Sequence, residues 1–206
     1  WDNFDPGALT LCSPDPQAFR PPEEGANVLH VGLPTNFKAA RFGDREANKL
    51  LDRLDADIAA VRVGRSDVPV KLKVFDSLFV PLAKWSMLLT GNYRCVTRDD
   101  VRPIRDAVHE NLAQSRLIYH HVDAIARRLG ADPGDAVPFE KYANAAENLV
   151  KPSSVARAVA AGSPVIERVD MLVQLIGRSL GMANPDIDEI IATVDARLAQ
   201  NQRQSA

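Results

Sequence analysis

Apolar residues recur at helical spacing through most of the chain after residue 67. The longest run extends over Val101–Leu129 and predicts one long helix, which Gly130 and Pro133 should end. Thr97 and Asp100, three residues apart, are typical of a helix start ahead of this run. Four further helices are predicted over Ala136–Leu149, Ser153–Ala161, Val169–Leu180 and Ile187–Leu198. We therefore expect the second part of the chain to be nearly all helix.

The segment Val70–Leu89 is apolar on several faces, which predicts a helix buried in the middle of the helical domain. Pro81 lies inside this segment and should kink or divide the helix. No apolar run reaches the roughly 18–20 residues of a membrane span, and the longest candidate, near Val74–Leu89, is interrupted by Asp76, Pro81 and Lys84. A buried helix is thus the prediction here, and no membrane partner is expected.

Polar residues on this predicted helix are candidates for a site. Lys73, Ser77 and Lys84 would form a polar stripe on an otherwise apolar surface, and such a stripe can line a cleft. Lys71 would lie about 200° from Lys73, so the two lysines can hardly face the same site. The alternative is structural: one lysine pairs with Asp76 and the other reaches solvent through its aliphatic stem.

The first 66 residues lack the continuous helical periodicity of the later part of the chain. Residues 1–26 carry five prolines and little periodicity, which is typical of loops. Two extended runs around Gly32–Asn36 predict a hairpin or a strand pair, a helix follows Asp44, and Ile58–Val63 predicts a buried strand. These elements are too few for an independent sheet domain, so we interpret residues 1–66 as the end of a larger α/β domain. A linker near Gly64–Asp67 separates them from a helical domain over residues 67–206.

Composition narrows the classes of function. The chain has 206 residues, of which 46% are hydrophobic and 25% charged, as in globular proteins. The net charge of −2 argues against a nucleic-acid partner. Cys12 and Cys95 are too few for a disulfide framework or a zinc site, which favours a cytoplasmic protein with reduced thiols. The first residue is Trp1 rather than methionine, so we expect that the natural N-terminus is missing and that a targeting segment stays possible.

Common catalytic motifs are absent from the sequence. It contains no G-x-G-x-x-G, no G-x-x-x-x-G-K-[ST], no H-E-x-x-H and no C-x-x-C. The four histidines lack metal-ligand spacing, and we expect no metal. His120 and His121 fall in the long predicted helix, where adjacent side chains point about 100° apart.

A second group of candidate residues lies between residues 153 and 170. Ser153 and Ser154 can cap a helix, because a serine oxygen accepts hydrogen bonds from the free amides of the first turn. Glu167 is expected in the first turn of the next helix, where the helix dipole favours a carboxylate, and Asp170 would lie one turn further on. The structural interpretation is that these are ordinary helix-start residues. The functional one is that they form a wall of a substrate cleft.

The stretches "KLKVFDSLFVPLAKWSMLLTG" and "SSVARAVAAGSPVIERVDMLVQLIGRSLGMANP" together resemble the C-terminal helical domain of ketopantoate reductase (2-dehydropantoate 2-reductase) and its relatives. In that family a lysine begins a buried helix ending in a Leu-Thr-Gly-like motif. A Ser-Ser helix start, a Glu-containing segment and a helix ending in Gly-x-x-x-Pro follow. "LHVGLPTNFKAARFGD" resembles the last part of the family's NADP-binding domain.

The resemblance implies a mainly α chain. Its helical domain would be of the 6-phosphogluconate dehydrogenase-like type, preceded by a partial α/β remnant of a Rossmann domain. The family reduces a small 2-oxo acid with NADP as cofactor and can dimerise through the helical domain. Carried over, the catalytic lysine would be Lys71 or Lys73. The substrate-binding residues would be Ser77, Ser153, Ser154, Glu167 and Asp170.

Three departures from the family pattern keep alternatives open. Phe75 or Ser77 stands where the family has an asparagine four residues after the lysine, about four extra residues precede "LLTG", and Glu-x-Asp becomes Glu167-x-x-Asp170. The family's glycine-rich phosphate loop is absent, so we expect no hydride transfer from this chain alone. The leading interpretation is a fragment of an NADP-dependent 2-oxo acid reductase. The alternative is a non-catalytic helical dimerisation or interaction module that kept the fold and lost the site.

Overall fold

The computed structural model describes residues 3–13, 18, 19, 23–25, 27, 28, 30, 31, 35–68 and 70–205. The chain divides into two compact units, Trp1–Leu82 and Ala83–Ala206. The boundary falls after the linker predicted at Gly64–Asp67, because those residues form a tight hairpin turn within the first unit. Gly64 adopts a positive φ of 63° in this turn, a conformation that glycine tolerates without strain.

The first unit is built from short strands and one helix. The elements are β1 (Cys12–Ser13), β2 (Ala18–Phe19), β3 (His30–Val31), β4 (Thr35–Ala40), α1 (Arg45–Ala60), β5 (Arg62–Val63), β6 (Ser66–Asp67) and β7 (Val70–Phe75). β4 is central in a three-stranded mixed sheet, antiparallel to β1 and parallel to β7. Helix α1 connects the parallel pair, which makes β4–α1–β7 a βαβ unit. The predicted α/β character of this segment is therefore confirmed.

Two local predictions in this unit are wrong or lie outside the described residues. The predicted strand Ile58–Val63 is mostly helix, because α1 continues to Ala60 and only the exposed pair Arg62–Val63 is extended. The helix after Asp44 is confirmed, and the Asp44 carboxylate caps it by accepting a hydrogen bond from the Glu46 amide at 2.9 Å. The two extended runs around Gly32–Asn36 are strands β3 and β4, but β3 pairs with β2 and β4 pairs with β1 and β7, so the predicted hairpin is wrong. Residues 32–34 between them lie outside the described residues.

The helix predicted over Val70–Leu89 is wrong for its first half. β7 occupies Val70–Phe75, and its side chains alternate, with Lys71 and Lys73 exposed and Leu72 buried. This alternation every two residues is typical of a strand. Pairing with β4 sets the register of β7, with Thr35 opposite Val70 and Ala40 opposite Phe75. Helical structure begins only with a 3₁₀ turn at Pro81–Ala83.

The second unit is helical. Its elements are α2 (Lys84–Met87), a π turn (Leu88–Asn92), a 3₁₀ turn (Tyr93–Cys95), α3 (Ile104–His109), α4 (Leu112–Arg128), α5 (Phe139–Ala146), α6 (Ser154–Ala160), α7 (Val169–Ser179) and α8 (Pro185–Ser205). The last four confirm the helices predicted for this region, with shifted ends. Gly130 and Gly181 adopt positive φ values of 118° and 71° just beyond α4 and α7, as helix-ending glycines do.

The single long helix over Val101–Leu129 is wrong, because the chain breaks between α3 and α4. Asn111 leaves the helical conformation, and its side chain caps α4 by accepting a hydrogen bond from the Gln114 amide at 3.0 Å. Thr97 and Asp100 do not begin a helix. They close a turn in which the Thr97 hydroxyl donates to the Asp100 carbonyl at 2.7 Å.

One hydrophobic core holds the helices of the second unit together. Its largest fully buried side chains are Tyr93, Phe139, Leu89, Ile104, Ile118 and Ile125. They come from the π turn, α3, α4, α5 and the turns between them, so each element is fixed by several others. The chain is mainly α with a small N-terminal mixed sheet, and the predicted fold class is confirmed.

Candidate functional site

Lys71 and Lys73 lie on β7 of the first unit. Residues two apart on a strand share a face, so the two lysines point the same way, and the prediction that they diverge by 200° is wrong. The polar stripe predicted for Lys73, Ser77 and Lys84 does not form, because Ser77 follows the strand in a loop and its hydroxyl accepts from the Phe79 amide at 3.2 Å. Asp76 is exposed and pairs with Arg41 at 3.1 Å.

The helix that leads into "LLTG" begins at Lys84, in the second unit. Lys84 is half-buried at the first position of α2, and the next turn, Leu88–Asn92, is a π turn. π turns inside helices are frequent at functional sites. The Met87 carbonyl just before this turn accepts a hydrogen bond from the Tyr142 hydroxyl at 3.2 Å, which ties the turn to α5.

Two polar side chains of the π turn are buried without a hydrogen-bond partner among the described residues. They are Thr90, through its hydroxyl, and Asn92, through its amide nitrogen Nδ2. Thr90 is 0% and Asn92 4% exposed. An unsatisfied buried donor costs about 1–3 kcal/mol, so such a group usually serves a water or a ligand.

The π turn also sets the direction of Asn92. In a regular α-helix a residue eight positions after Lys84 points about 80° away from it. A π turn takes more residues per turn, which rotates Asn92 back toward the face of Lys84. Ideal helix geometry therefore predicts that Lys84 and Asn92 fall on similar faces of one helical segment, two turns apart.

Ser153 confirms the predicted helix cap and contacts the π turn as well. Its hydroxyl oxygen accepts from the Ala156 amide at 3.1 Å, at the start of α6. The same hydroxyl donates to the Asn92 carbonyl at 2.7 Å. Ser153 is fully buried, and its one hydroxyl proton is used in the hydrogen bond to the Asn92 carbonyl. Ser154, the first residue of α6, is half-buried.

Glu167 is exposed and precedes α7 by two residues, so its prediction in the first turn of that helix is wrong. Its backbone carbonyl accepts a hydrogen bond from the Tyr93 hydroxyl at 2.7 Å. Tyr93 directly follows Asn92 in the chain. The end of the π turn therefore contacts both the Ser153 and the Glu167 segments.

Asp170 is the acid in the first turn of α7, and it is completely buried. Arg168 clamps it with two hydrogen bonds of 2.9 Å and also reaches Asp195 on α8. Burial alone would lower the pKa of Arg168, but its hydrogen bonds to the two aspartates raise that pKa above its ordinary value. Asp170 thus has a structural partner within the fold.

A cleft of about 530 Å³ opens elsewhere on the helical unit. It is lined by Arg102, Arg105, Asp106, His109, Glu110 and Glu147. Arg102 pairs with Glu110, and Arg105 pairs with Asp106. With most of its charges paired, this cleft is a weaker candidate than the segment around Asn92.

None of the described helices combines the length and the apolar character needed to cross a membrane. Among the same residues, no group of three or more His, Cys, Asp and Glu side chains could hold a metal ion.

Sequence reasoning identified the Ser153 and Glu167 segments but missed Asn92 and Lys84 as a pair. The signal was present as an asparagine directly after "LLTG", eight residues beyond a lysine. The spacing of Lys84 and Asn92 could be interpreted only with the knowledge that the helix starts at Lys84 and contains a π turn. The roles of the predicted residues stay predictions.

No protein-family model and no curated protein matches the chain. Among solved structures, the chain is similar to D-mandelate dehydrogenase in a ternary structure with NADH and anilino(oxo)acetate. The TM-score is 0.55 at 12% sequence identity, over 81% of this chain and 68% of that one. The similarity is one of fold, and it covers most of both chains.

Proposed function

We propose that this chain carries the substrate-binding part of a nicotinamide-dependent reductase that converts a small 2-oxo acid to a 2-hydroxy acid. Two independent similarities support the proposal. The sequence resembles the ketopantoate reductase family, and the fold is similar to that of D-mandelate dehydrogenase, whose structure contains NADH and anilino(oxo)acetate. The observation that carries the proposal is the buried Asn92 side chain in a segment that Lys84 begins, because its Nδ2 has no hydrogen-bond partner in the described part of the chain.

Lys84 takes the role that the sequence assigned to Lys71 or Lys73. It is the lysine that begins the helix leading into "LLTG", and it is half-buried, whereas the other two are exposed on a strand. A partly desolvated ammonium stabilises negative charge on a keto oxygen as that oxygen is reduced, and it can supply the proton that completes the hydroxyl group.

The remaining groups would orient the substrate. The Asn92 amide donates to an oxygen of the 2-oxo acid, which satisfies the otherwise unpaired Nδ2. In a 2-oxo acid that carries a hydroxyl group, such as ketopantoate, the Glu167 carboxylate accepts a hydrogen bond from that hydroxyl, and Ser154 lies at the start of α6. Ser153 holds the Asn92 backbone in place.

The described residues do not form the pyrophosphate-binding site of a dinucleotide-binding domain. In such sites the pyrophosphate binds at the N-terminus of the helix in a βαβ unit. Here that position in β4–α1–β7 carries Asp44 as the cap and Glu46 in the first turn, and both carboxylates repel phosphate. We therefore assign no cofactor-binding residue. The family resemblance favours NADP, and the similar structure contains NADH, so both cofactors belong in the assay.

The test uses the full-length protein, because we expect no hydride transfer from this chain alone. It measures reduction of a panel of 2-oxo acids, including phenylglyoxylate, ketopantoate and pyruvate, with NADH or NADPH. We expect turnover of at least one acid and a fall in kcat of about 100-fold or more in Lys84→Gln, the lower range for loss of a general acid. Lys73→Gln is the matched control, since it removes an exposed lysine of the first unit, and its activity should equal that of the wild type. Absence of turnover with every acid, or full activity of Lys84→Gln, would contradict the proposal.

A second candidate function, a helical homodimerisation module, is favoured by one surface feature. Helix α7 exposes Met171, Leu172 and Leu175, with Leu175 58% exposed. Clustered exposed apolar side chains often mark interaction surfaces. Sedimentation of Leu175→Glu against the wild type tests it: a dimer that dissociates supports the module, and a wild-type monomer rejects it. A dimer is also compatible with the reductase.

A further inference from the structure

The Glu167 carboxylate lies in an irregular segment that should be mobile without support. It belongs to the connection between α6 and α7, and Val165 in the same connection is 71% exposed. Exposed connections tend to move more than the elements they join. A side chain that must meet a substrate in one geometry needs rigid support from residues behind it.

Tyr93 supplies such support from the core. It is 2% exposed, and its hydroxyl makes two hydrogen bonds to the backbone on either side of Arg168. The hydroxyl donates to the Glu167 carbonyl at 2.7 Å and accepts from the Val169 amide at 3.0 Å. That amide belongs to the first turn of α7, which has no internal acceptor for it, so Tyr93 caps the helix from outside.

The Arg168–Asp170 ion pair fixes the same segment from its other end. Asp170 lies in the first turn of α7, and the Arg168 guanidinium forms a bidentate pair with its carboxylate. A further bond to Asp195 ties Arg168 to α8. Residues 167–170 are thus held by Tyr93, by α7 and by α8.

We propose that Tyr93, together with the Arg168–Asp170 pair, is a positioning device that sets the Glu167 carboxylate for substrate recognition and links it to Asn92. The inference rests on the proposed function, because it assigns Glu167 a substrate. Its structural basis is independent of that function: Asn92 and Tyr93 are consecutive, so one rigid turn fixes the candidate amide and the candidate acid together. Tyr93 itself touches no substrate in this account.

The protonation of Tyr93 suits this role. Burial and the nearby Asp170 carboxylate both raise the pKa of Tyr93 above its ordinary value. The hydroxyl therefore keeps its proton, and its bond to the Glu167 carbonyl, throughout the neutral pH range.

The test compares Tyr93→Phe with Tyr119→Phe. Tyr119 is an equally buried tyrosine whose hydroxyl donates to the Val137 carbonyl at 2.7 Å, away from this segment. With a hydroxyl-bearing 2-oxo acid that the wild type reduces, we expect KM to rise about tenfold in Tyr93→Phe, the size of one to two lost hydrogen bonds. Tyr119→Phe should keep the wild-type KM. Equal KM values in the two variants would overturn the proposal.

A double-mutant cycle separates positioning from general loss of structure. If Tyr93 acts through Glu167, the KM of Tyr93→Phe/Glu167→Gln should equal that of Glu167→Gln alone. Additive effects of the two substitutions would show that Tyr93 acts by another route.

Hydrogen exchange, which needs no turnover, tests the positioning role of Tyr93 separately from the proposed reductase function. Tyr93→Phe should speed hydrogen exchange at Val169 and across residues 163–168, whereas Tyr119→Phe should leave that segment unchanged. If the wild type reduces no 2-oxo acid, the proposed function fails, and binding of anilino(oxo)acetate by calorimetry then takes the place of KM. Unchanged exchange in Tyr93→Phe, or no binding by the wild type, would overturn the positioning role.

Discussion

The two units differ in how they bury apolar side chains. In the first, helix α1 spans Arg45–Ala60, a range described in full, and none of its residues is buried; Leu50 is 71% and Leu54 51% exposed. In the second, Leu89 and Tyr93 are enclosed by a core drawn from most of its helices. A well-packed core can hold polar groups in fixed geometry, whereas a small, open sheet cannot. This difference is why the candidate site is assigned to the second unit.

The largest expected effect comes from breaking the buried ion pair of the second unit. Asp170→Ala leaves Arg168 without its main partner, and loss of one member of a buried pair costs about 3–5 kcal/mol. The free energy of unfolding, measured by urea denaturation, should fall by that amount. Asp195→Ala is the control, since Asp195 is 52% exposed and its removal should cost at most about 1 kcal/mol. A similar loss of unfolding free energy in both variants would contradict the prediction that the buried aspartate contributes more than the exposed one.

A smaller effect is expected from overpacking the π turn. A Cβ added at Gly91 would lie 2.1 Å from the Tyr142 hydroxyl, and Ile104 and Val108 block the other directions. Gly91→Ala should therefore lower the free energy of unfolding by about 1–3 kcal/mol. Gly134→Ala, where a Cβ would meet nothing within 4 Å, is the matched control and should unfold like the wild type. A Gly91→Ala variant as stable as the wild type would show that the turn is loosely packed.

The smallest effects compare one helix cap in each unit. Ser153 caps α6 and also bonds the Asn92 carbonyl, so Ser153→Ala should cost about 1–2 kcal/mol. Asp44 caps the exposed helix α1, and Asp44→Ala should cost about 0.5–1 kcal/mol. Thermal unfolding of both variants measures the difference. If Asp44→Ala lowers the stability more than Ser153→Ala does, the first unit unfolds more cooperatively than the exposure of helix α1 indicates.

Several elements could be predicted from the sequence because local chemistry decides them. Asp44 and Ser153 cap helices where side-chain chemistry indicates, and Gly130 and Gly181 end them. In contrast, the apolar segment Val70–Leu89 fits a buried helix and a buried strand alike. Only its pairing with β4, a contact between distant parts of the chain, makes its first half a strand.

The candidate site was only partly predictable for the same reason. Ser153 and Glu167 belong to segments marked by the sequence. Lys84 was placed on a polar stripe with Lys73 and Ser77, but it was not recognised as the lysine that begins the helix, because the helix start depends on where β7 ends. The capping role of Tyr93 rests on a contact between residues 76 positions apart, which no local pattern indicates. The break at Asn111 was missed because apolar spacing continues through it.

The measurement that tests the central claim most directly is the affinity of Asn92→Ala for anilino(oxo)acetate, by calorimetry in the presence of NADH. Because Nδ2 of Asn92 has no partner among the described residues, the substitution removes no hydrogen bond of that nitrogen within the fold. If Asn92 holds the substrate, the affinity should fall about tenfold relative to the wild type, as for one lost hydrogen bond. Equal affinity of the two proteins would contradict a substrate site in the second unit.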